Sequence, residues 1–210
     1  MGREIVRIPS GYINSVNDPV IGEGTAPPFG GGSFVGQLGK RFEYAIGENM
    51  LYNAALGTVY GGWARYVRLA AAAAVPVVGQ ILFWDLTVAD NLYQVTTVET
   101  GSTDGAMFIA GVCLTPTLTP GRYTVIHDQG DVPVQFRAVL TSAGAVGSRV
   151  YAAGVGAGVD NGFADVLSSA NPTLFSDVSL MQGRYLGIAR IIPVGGTLTR
   201  VNMDLKNYRG

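Results

Sequence analysis

The sequence predicts an all-β protein, and three features of residues 63–210 support that fold class. Short segments rich in β-branched and aromatic residues are separated by turn signals about every 8–12 residues. Glycine supplies 30 of 210 residues, roughly twice its usual share, which suits many tight turns. Apolar residues also alternate with polar ones in the clearest segments, as in half-buried strands. We expect an antiparallel barrel or a jelly-roll-like sandwich of about eight to ten short strands, with an extended, irregular N-terminal arm.

The strands are predicted one by one from these patterns. Residues 80–84 (QILFW) are apolar on both faces, which is typical of a central strand. In residues 197–205, Val201, Met203 and Leu205 face one side, so the other side is polar. The remaining predicted strands are 64–69, 91–98, 106–114, 123–126, 132–140, 148–152, 163–167 and 183–192.

Residues 119–140 predict a β-hairpin. Pro120-Gly121 forms the turn that opens it, because proline presets φ and glycine accepts a positive φ. The polar residues 127–131 (HDQGD) then predict the reversal between the two strands. Pro133 cannot donate a ladder hydrogen bond, which indicates an edge position or a nearby bulge.

Residues 65–74 leave two interpretations open. Five consecutive alanines have high helix propensity, so these residues could form one short helix. Pro76 and Gly79 follow closely, however, which favours a strand, a loop and a second strand. Residues 74–82 consist of small residues, then valine-glycine, then the start of a strand, and residues 142–150 repeat this pattern. We interpret the recurrence as the same type of turn used twice.

Residues 1–62 are predicted to be an N-terminal arm, and residues 63–210 a β-domain. The arm contains four prolines and the run Gly30-Gly31-Gly32, and its apolar residues show little periodicity. It is too aromatic for a simple disordered tail, so it can become ordered on its own β-domain or on a partner. Residues 40–46 could form a short helix or a strand.

Composition narrows the possible functions. A net charge of −1 gives no electrostatic reason to expect nucleic-acid or membrane-surface binding. Charged residues make up only 14%, against about 25% in a typical domain. Together with the many glycines this suits a chain that buries surface in an assembly, and the alternative is a soluble β-protein with many tight turns. Cys113 is the single cysteine and is predicted to be a small buried apolar residue, in keeping with a reducing compartment. We expect no signal peptide, and the longest apolar run, 69–79, is too short to span a bilayer.

The residues that could carry chemistry do not form a recognisable catalytic motif. His127 is the only histidine, which excludes a multi-histidine metal site, and we expect it to be exposed in the polar turn. Asp128 with Asp131, and Asp160-Asn161 with Asp165, are interpreted as turn residues rather than cation ligands, because their spacing does not match a calcium-binding loop. We therefore predict no enzymatic activity, no catalytic residues, no metal site and no cofactor.

Two stretches together resemble a known family. One is Arg65-Tyr66-Val67-Arg68, followed by small residues and residues 78–85 (VGQILFWD). The other runs from Ile109-Ala110-Gly111-Val112 through Thr119-Pro120-Gly121-Arg122-Tyr123 to the DQGD residues before Val132-Pro133-Val134. Residues 64–151 resemble the small β-barrel decoration, or cement, proteins encoded among tailed-bacteriophage head genes.

The resemblance implies a function and partners. It implies a virion protein on the outer surface of an icosahedral capsid, made in the host cytoplasm, which binds the major capsid protein and stabilises the shell. It also implies a homo-oligomer, as a trimer. The alternative is another virion β-module, such as a tail, fibre or host glycan-binding protein.

Aromatic residues of the arm are candidate partner contacts, because aromatics are enriched at the centres of interfaces. The basic residues of the N-terminal third could pair with an acidic partner or could simply be solvated. The predicted partner-binding residues are Phe29, Phe34, Arg41, Phe42, Tyr44 and Tyr52.

Overall fold

A computed structural model describes residues 39, 41–44, 60–85, 93–98, 109–114, 119–121, 123–153, 161–166 and 184–205. The named elements in this part of the chain are all strands. They are β1 Arg41–Tyr44, β2 Tyr60–Leu69, β3 Gln80–Trp84, β4 Gln94–Thr96, β5 Ile109–Cys113, β6 Tyr123–Gln135, β7 Arg149–Ala152, β8 Ala164–Val166, β9 Tyr185–Ala189 and β10 Leu198–Asp204.

The ten strands form one mixed sheet in the order β1-β2-β4-β3-β5-β6-β10-β9-β7-β8, with an additional pairing of β2 with β6. The all-β class and the number of strands are confirmed. Two details differ from the expectation. The β2–β4 pair is parallel, and the sheet is not closed into a barrel, since β1 and β8 lie at its ends.

The 13-residue strand β6 is the centre of this sheet. Its residues Tyr123–Asp131 pair with β2 along one edge. The other edge is shared, because β5 pairs at Ile126 and His127 and β10 pairs from Gln129 to Gln135. Each half of the sheet therefore depends on the same strand.

The reversal predicted at residues 127–131 is wrong, because the chain runs through them as part of β6. These residues are bonded to β2 on one side and to β10 on the other, so the polar sequence does not turn back. Gly130 has a φ of 108° yet remains in the strand. The opening turn at Pro120-Gly121 is confirmed, with Gly121 at a φ of 84°.

Pro133 lies beyond the end of the β2 pairing, which stops at Asp131. Its strand partner is Arg200 of β10. Pro133, whose nitrogen cannot donate a hydrogen bond, therefore lies where β6 pairs with β10 but no longer with β2. This is the local edge that the sequence predicted.

The apolar residues form two clusters. The larger contains Phe83 and Phe136, both at most 1% exposed, with apolar residues of β5 to β10. The smaller contains Leu69, Leu82 and Cys113, all fully buried. Alternate residues of β3 thus enter different clusters, which confirms that this strand is buried on both faces. Cys113 is a buried free thiol, as predicted.

Several local predictions are confirmed. Residues 80–84 form β3 as predicted, and 70–79 contain no helix. In β10, Val201 and Met203 are buried while Asn202 and Asp204 are exposed. Within the range 40–46, residues 41–44 form strand β1, which pairs with β2.

Candidate functional site

Arg41 fixes strand β1 to the centre of the sheet. Its Nε donates to both carboxylate oxygens of Asp128, at 3.2 Å to Oδ1 and 3.0 Å to Oδ2. Its second guanidinium nitrogen donates to Asp128 Oδ1 at 3.1 Å and to Gln129 Oε1 at 3.0 Å. The guanidinium carbon also lies 4.8 Å from the centroid of the Trp63 ring, within cation–π range. Arg41, predicted to contact a partner, is engaged within its own chain.

A β-bulge places Asp128 where it can accept these bonds. Trp63 of β2 pairs with Gln129 and the next residue, Ala64, pairs with His127, so Asp128 is the extra residue of β6. Bulges redirect a side chain while the strand continues. The Asp128 carboxylate is completely buried, and Arg65 Nε lies 3.6 Å from its Oδ2. Two arginines therefore surround one buried carboxylate.

Opposing effects act on the pKa of Asp128. Burial raises this pKa above its ordinary value, while hydrogen bonding and charge from Arg41, and the nearby Arg65, lower it. The bidentate geometry and the two cations offset part of the effect of burial, but burial is the larger effect, so the pKa of Asp128 is raised overall. This arrangement suits a structural ion pair, because every described bond to the carboxylate comes from a cation of the same sheet.

His127 is buried in β6, so the expectation of an exposed turn histidine is wrong. It is only 1% exposed. Burial lowers the pKa of its imidazole from 6.5 to about 3, so the ring is neutral at physiological pH. The polar residues 127–131 (HDQGD) have the composition of a turn, and nothing in the sequence indicates that β6 continues through them.

The other aspartates singled out from the sequence also bind arginines. Asp131 of β6 forms an ion pair with Arg200 of β10, whose Nε donates to Oδ1 at 3.2 Å. Asp165 of β8 accepts from Arg137 at 3.1 Å. Each carboxylate is thus committed to holding neighbouring segments of the sheet together.

Asp165 additionally fixes the chain after β6. It accepts from the backbone N–H of Thr141 at 2.9 Å and from the hydroxyl of the same residue. Its Oδ1 also accepts from the backbone N–H of Val166 at 2.7 Å. Asp160 lies outside the described residues. Among the residues the structure describes, no three His, Cys, Asp or Glu side chains gather as a possible metal site.

One turn is used three times, each time directly before a strand. In the first, the N–H of Gln80 donates to the carbonyl of Val77 at 3.1 Å, and the N–H of Val77 donates to Gln80 Oε1 at 2.9 Å. In the second, Ser148 and Ala145 make the same pair of bonds, at 3.1 Å and 2.9 Å. The recurrence predicted from residues 74–82 and 142–150 is a shared turn geometry.

The third turn precedes β10 and shares the backbone bond of the first two, although its side-chain bond differs. The N–H of Thr197 donates to the carbonyl of Val194 at 3.3 Å, and its hydroxyl donates to the same oxygen at 2.9 Å. All three turns place a glycine at positive φ in the third position, at Gly79, Gly147 and Gly196. Each also exposes a valine, namely Val77 at 48%, Val146 at 65% and Val194 at 54%. Sequence analysis missed the third copy, although Pro193-Val194-Gly195-Gly196 resembles Pro76-Val77-Val78-Gly79.

The second and third turns form one continuous surface, here called the turn face, which consists of residues 138–147 and 190–197. Each segment is bonded to the residue just before the other, since the N–H of Gly147 donates to the carbonyl of Ala189 and the N–H of Gly196 donates to the carbonyl of Arg137, both at 2.9 Å. They also touch closely, because a Cβ on Gly144 would lie 2.7 Å from the ring of Pro193. The turn face is therefore fixed in shape.

The turn face is aliphatic and bordered by positive charge. Its exposed apolar residues are Val139, Val146, Ile191, Ile192 and Val194, between 44% and 76% exposed. Arg149 and Arg190 are exposed at its border, and residues 136–149 and 190–198 contain no Asp or Glu. Clustered aliphatic side chains of this kind mark interaction surfaces in soluble proteins.

The other predicted contact residues are only partly placed. Phe42 and Tyr44 lie in β1, and their side chains are outside the described part of the chain. Phe29, Phe34 and Tyr52 also lie outside the described residues. Arg65 and Arg68 belong to the basic residues of the N-terminal third that could pair with an acidic partner. They contact Asp128 and the carbonyl of Gly121, respectively.

In the described ranges, no helix is long and apolar enough to cross a membrane. Comparison of the sequence with models of protein families and with curated proteins finds no match.

Proposed function

We propose that this chain is a structural protein of a tailed-bacteriophage head that binds the outer surface of the capsid and stabilises the shell. It acts without catalysis, and its partner is the major capsid protein. The chain assembles as a homotrimer, is made in the host cytoplasm and ends in the virion. The resemblance of residues 64–151 to decoration proteins suggests this role, and the all-β fold is compatible with it.

The turn face is the observation that carries the proposal. A rigid surface of aliphatic side chains bordered by arginines provides apolar contact at its centre and charged contact at its rim, as protein interfaces do. Repetition of such a contact over a shell converts modest affinity into firm attachment, because a multivalent complex dissociates slowly.

The polar residues of the described sheet support a structural role as well. Asp128, Asp131 and Asp165 each bind an arginine, and His127 is buried and neutral. These groups connect β1, β8 and β10 to the central strand β6 or to the chain that follows it.

Co-sedimentation with shells assembled from the major capsid protein tests the proposal. Wild-type protein should pellet with the shells at a fixed ratio to the capsid subunit, and light scattering should give the mass of a trimer. Val146→Asp with Ile192→Asp should reduce binding at least tenfold while leaving the circular dichroism spectrum unchanged. Asn202→Asp, an exposed change on β10, is the matched control and should bind like wild type.

The contribution of the arm is tested in the same assay with Phe29→Ser and Phe34→Ser. Reduced pelleting is expected if these aromatics contact the shell. A wild-type protein that stays in the supernatant over saturated shells would contradict the proposed function. Specific retention on a host glycan array, with no shell binding, would instead indicate a fibre or host-binding module.

A further inference from the structure

We propose that the turn face binds an acidic segment of its partner, one in which carboxylate side chains flank aliphatic side chains. The identity of that partner rests on the proposed function, where it is the major capsid protein. The chemistry of the contact belongs to this chain, however, and it can be tested without a shell.

Two arginines at the edge of the turn face lie opposite one another. Arg190 directly follows β9, and its N–H donates to the carbonyl of Arg200 on β10 at 2.9 Å. It thereby continues the register in which Ala189 lies opposite Val201. Residues opposite one another in such a pair have Cα atoms about 5.5 Å apart. Like charges in this position repel, so an anion bound between them would stabilise the pair.

A third arginine lies on the same side of the sheet. Arg149 of β7 is opposite Ile188 of β9, which makes it a diagonal neighbour of Arg190 at about 7–8 Å. Each arginine is next in the sequence to a buried residue, namely Val150, Ala189 and Val201. Because side chains alternate between the two faces of a strand, the three arginines project away from the core.

One of these charges is balanced within the described sheet. Arg200 forms an ion pair with Asp131 of β6, through a bond of 3.2 Å from its Nε to Oδ1. In the described part of the chain, no carboxylate forms an ion pair with Arg149 or Arg190, and this includes the exposed Asp204 of β10. Two positive charges are therefore available to a partner.

An acidic peptide fits this surface better than a nucleic acid does. Guanidinium groups bind carboxylates and phosphates alike. Single-stranded nucleic acids, however, bind largely by stacking bases on aromatic side chains, and residues 138–147 and 190–197 contain no aromatic residue. A peptide segment provides both complements, with carboxylates for Arg149 and Arg190 and aliphatic side chains for the exposed valines and isoleucines beside them.

Fluorescence anisotropy of the full-length protein with a synthetic peptide tests the contact. The probe carries fluorescein and consists of two leucines with two glutamates on each side, and it should bind saturably at about 50 mM salt. A matched peptide with lysine in place of glutamate should not bind. A peptide with serine in place of leucine should bind more weakly than the probe. A labelled thymidine pentanucleotide has four phosphates, the same charge as the four glutamates, and should also bind more weakly.

Charge reversal identifies the residues. Arg149→Glu with Arg190→Glu should weaken binding of the glutamate probe about tenfold, as two lost charge contacts worth about 1.4 kcal/mol in total would do. The same variant should gain affinity for the lysine peptide, a result that loss of folding cannot produce. The control is Arg68→Gln, which removes a positive charge from β2 beside the carbonyl of Gly121 and should bind the probe like wild type.

Four results would overturn the inference. They are a probe that does not bind, a lysine peptide that binds wild type equally well, a pentanucleotide that binds as tightly as the probe, and charge reversals that leave both peptide affinities unchanged. None of these requires a shell. A protein that binds the probe but no shell would contradict only the proposed function, whereas wild-type shell binding by the charge-reversed variant would contradict only the acidic contact.

Discussion

Arg41 and Asp128 are 87 residues apart in the sequence, yet Arg41 Nε lies 3.0 Å from Asp128 Oδ2. The carboxylate is fully buried and the arginine side chain is 27% exposed. This ion pair connects the short strand β1, which lies at one end of the sheet order, to the central strand β6.

Removing the carboxylate should destabilise the fold strongly. Asp128→Ala leaves Arg41 and the buried Arg65 without the anion that they surround, and losing one partner of a buried ion pair costs about 3–5 kcal/mol. Urea unfolding followed by tryptophan fluorescence measures the change. Asp204→Ala removes an exposed aspartate of β10 and should change stability by less than about 0.5 kcal/mol. Equal effects of the two variants would show that the ion pair is not structural.

Stability should fall in acid through His127. Burial lowers the pKa of the folded-state imidazole to about 3, so between pH 6.5 and that value the unfolded chain binds a proton that the folded chain does not. The part of the unfolding free energy that depends on this pKa difference is fully present above pH 6.5. It is lost as the pH falls, by up to about 1.4 kcal/mol per pH unit. Urea midpoints measured from pH 7 to pH 4 report the slope.

His127→Gln is the variant that isolates this effect. It should flatten the dependence of the urea midpoint on pH between pH 6.5 and pH 5, because His127 is the only histidine. This holds whatever the variant does to stability at pH 7. The raised pKa of Asp128 acts in the opposite sense, since protonation of that carboxyl favours the folded state as the pH falls. An unchanged slope in the variant would mean that His127 is accessible to protons in the folded state.

Gly187 should tolerate no side chain. Its φ is 156°, and a Cβ would lie 2.0 Å from the carbonyl oxygen of Asn202 on the neighbouring strand. Gly187→Ala must therefore separate β9 from β10, and we expect a loss of more than about 3 kcal/mol. Gly147→Ala is the matched control, because its φ is also positive but no atom lies within 4 Å of the added carbon. It should cost only about 1–2 kcal/mol of backbone strain. If Gly147→Ala destabilised the protein as much as Gly187→Ala, the positive φ rather than the contact with Asn202 would account for the loss.

Asp165 should determine the rigidity of the turn face. Asp165→Asn keeps the shape but weakens the bonds to Arg137 and Thr141. The segment that follows β6 then keeps the backbone bond from the Arg137 N–H to Ala164 of β8 but loses the side-chain attachment at Thr141. Hydrogen exchange at the Thr141 amide should accelerate at least tenfold, while exchange in β3 stays the same. Uniform acceleration over the whole sheet would indicate global destabilisation instead.

Strand positions were predictable where burial imposes a simple pattern. The continuous apolar run of β3 and the alternation in β10 each reflect which faces meet a core, and both appear directly in the sequence. The turn at Pro120-Gly121 was equally readable, because its backbone geometry requires those residue types.

The continuity of β6 was not predictable from local sequence. His127, Asp128, Gln129 and Asp131 have the composition of a turn, and their partners come from residues up to 87 positions away. A buried carboxylate is tolerated only when it is paired and hydrogen-bonded, and here the partners of Asp128 are arginines far away in the sequence. The turn face was missed for a related reason, since the pairings of β7 with β9 and of β6 with β10 bring two separate loops together.

The position of β6 in the chain has a consequence for biosynthesis. Strand β2 emerges from the ribosome early but must wait for residues 123–131, its long antiparallel partner, and β10 in turn needs residues 129–135. Neither half can reach its final pairing during the first 122 residues of translation. Pairings so distant in sequence carry a large loop-closure cost and slow the search for the native state. The nascent chain therefore carries β2 without its long antiparallel partner until residues 123–131 have been synthesised, a period in which chaperones can bind it.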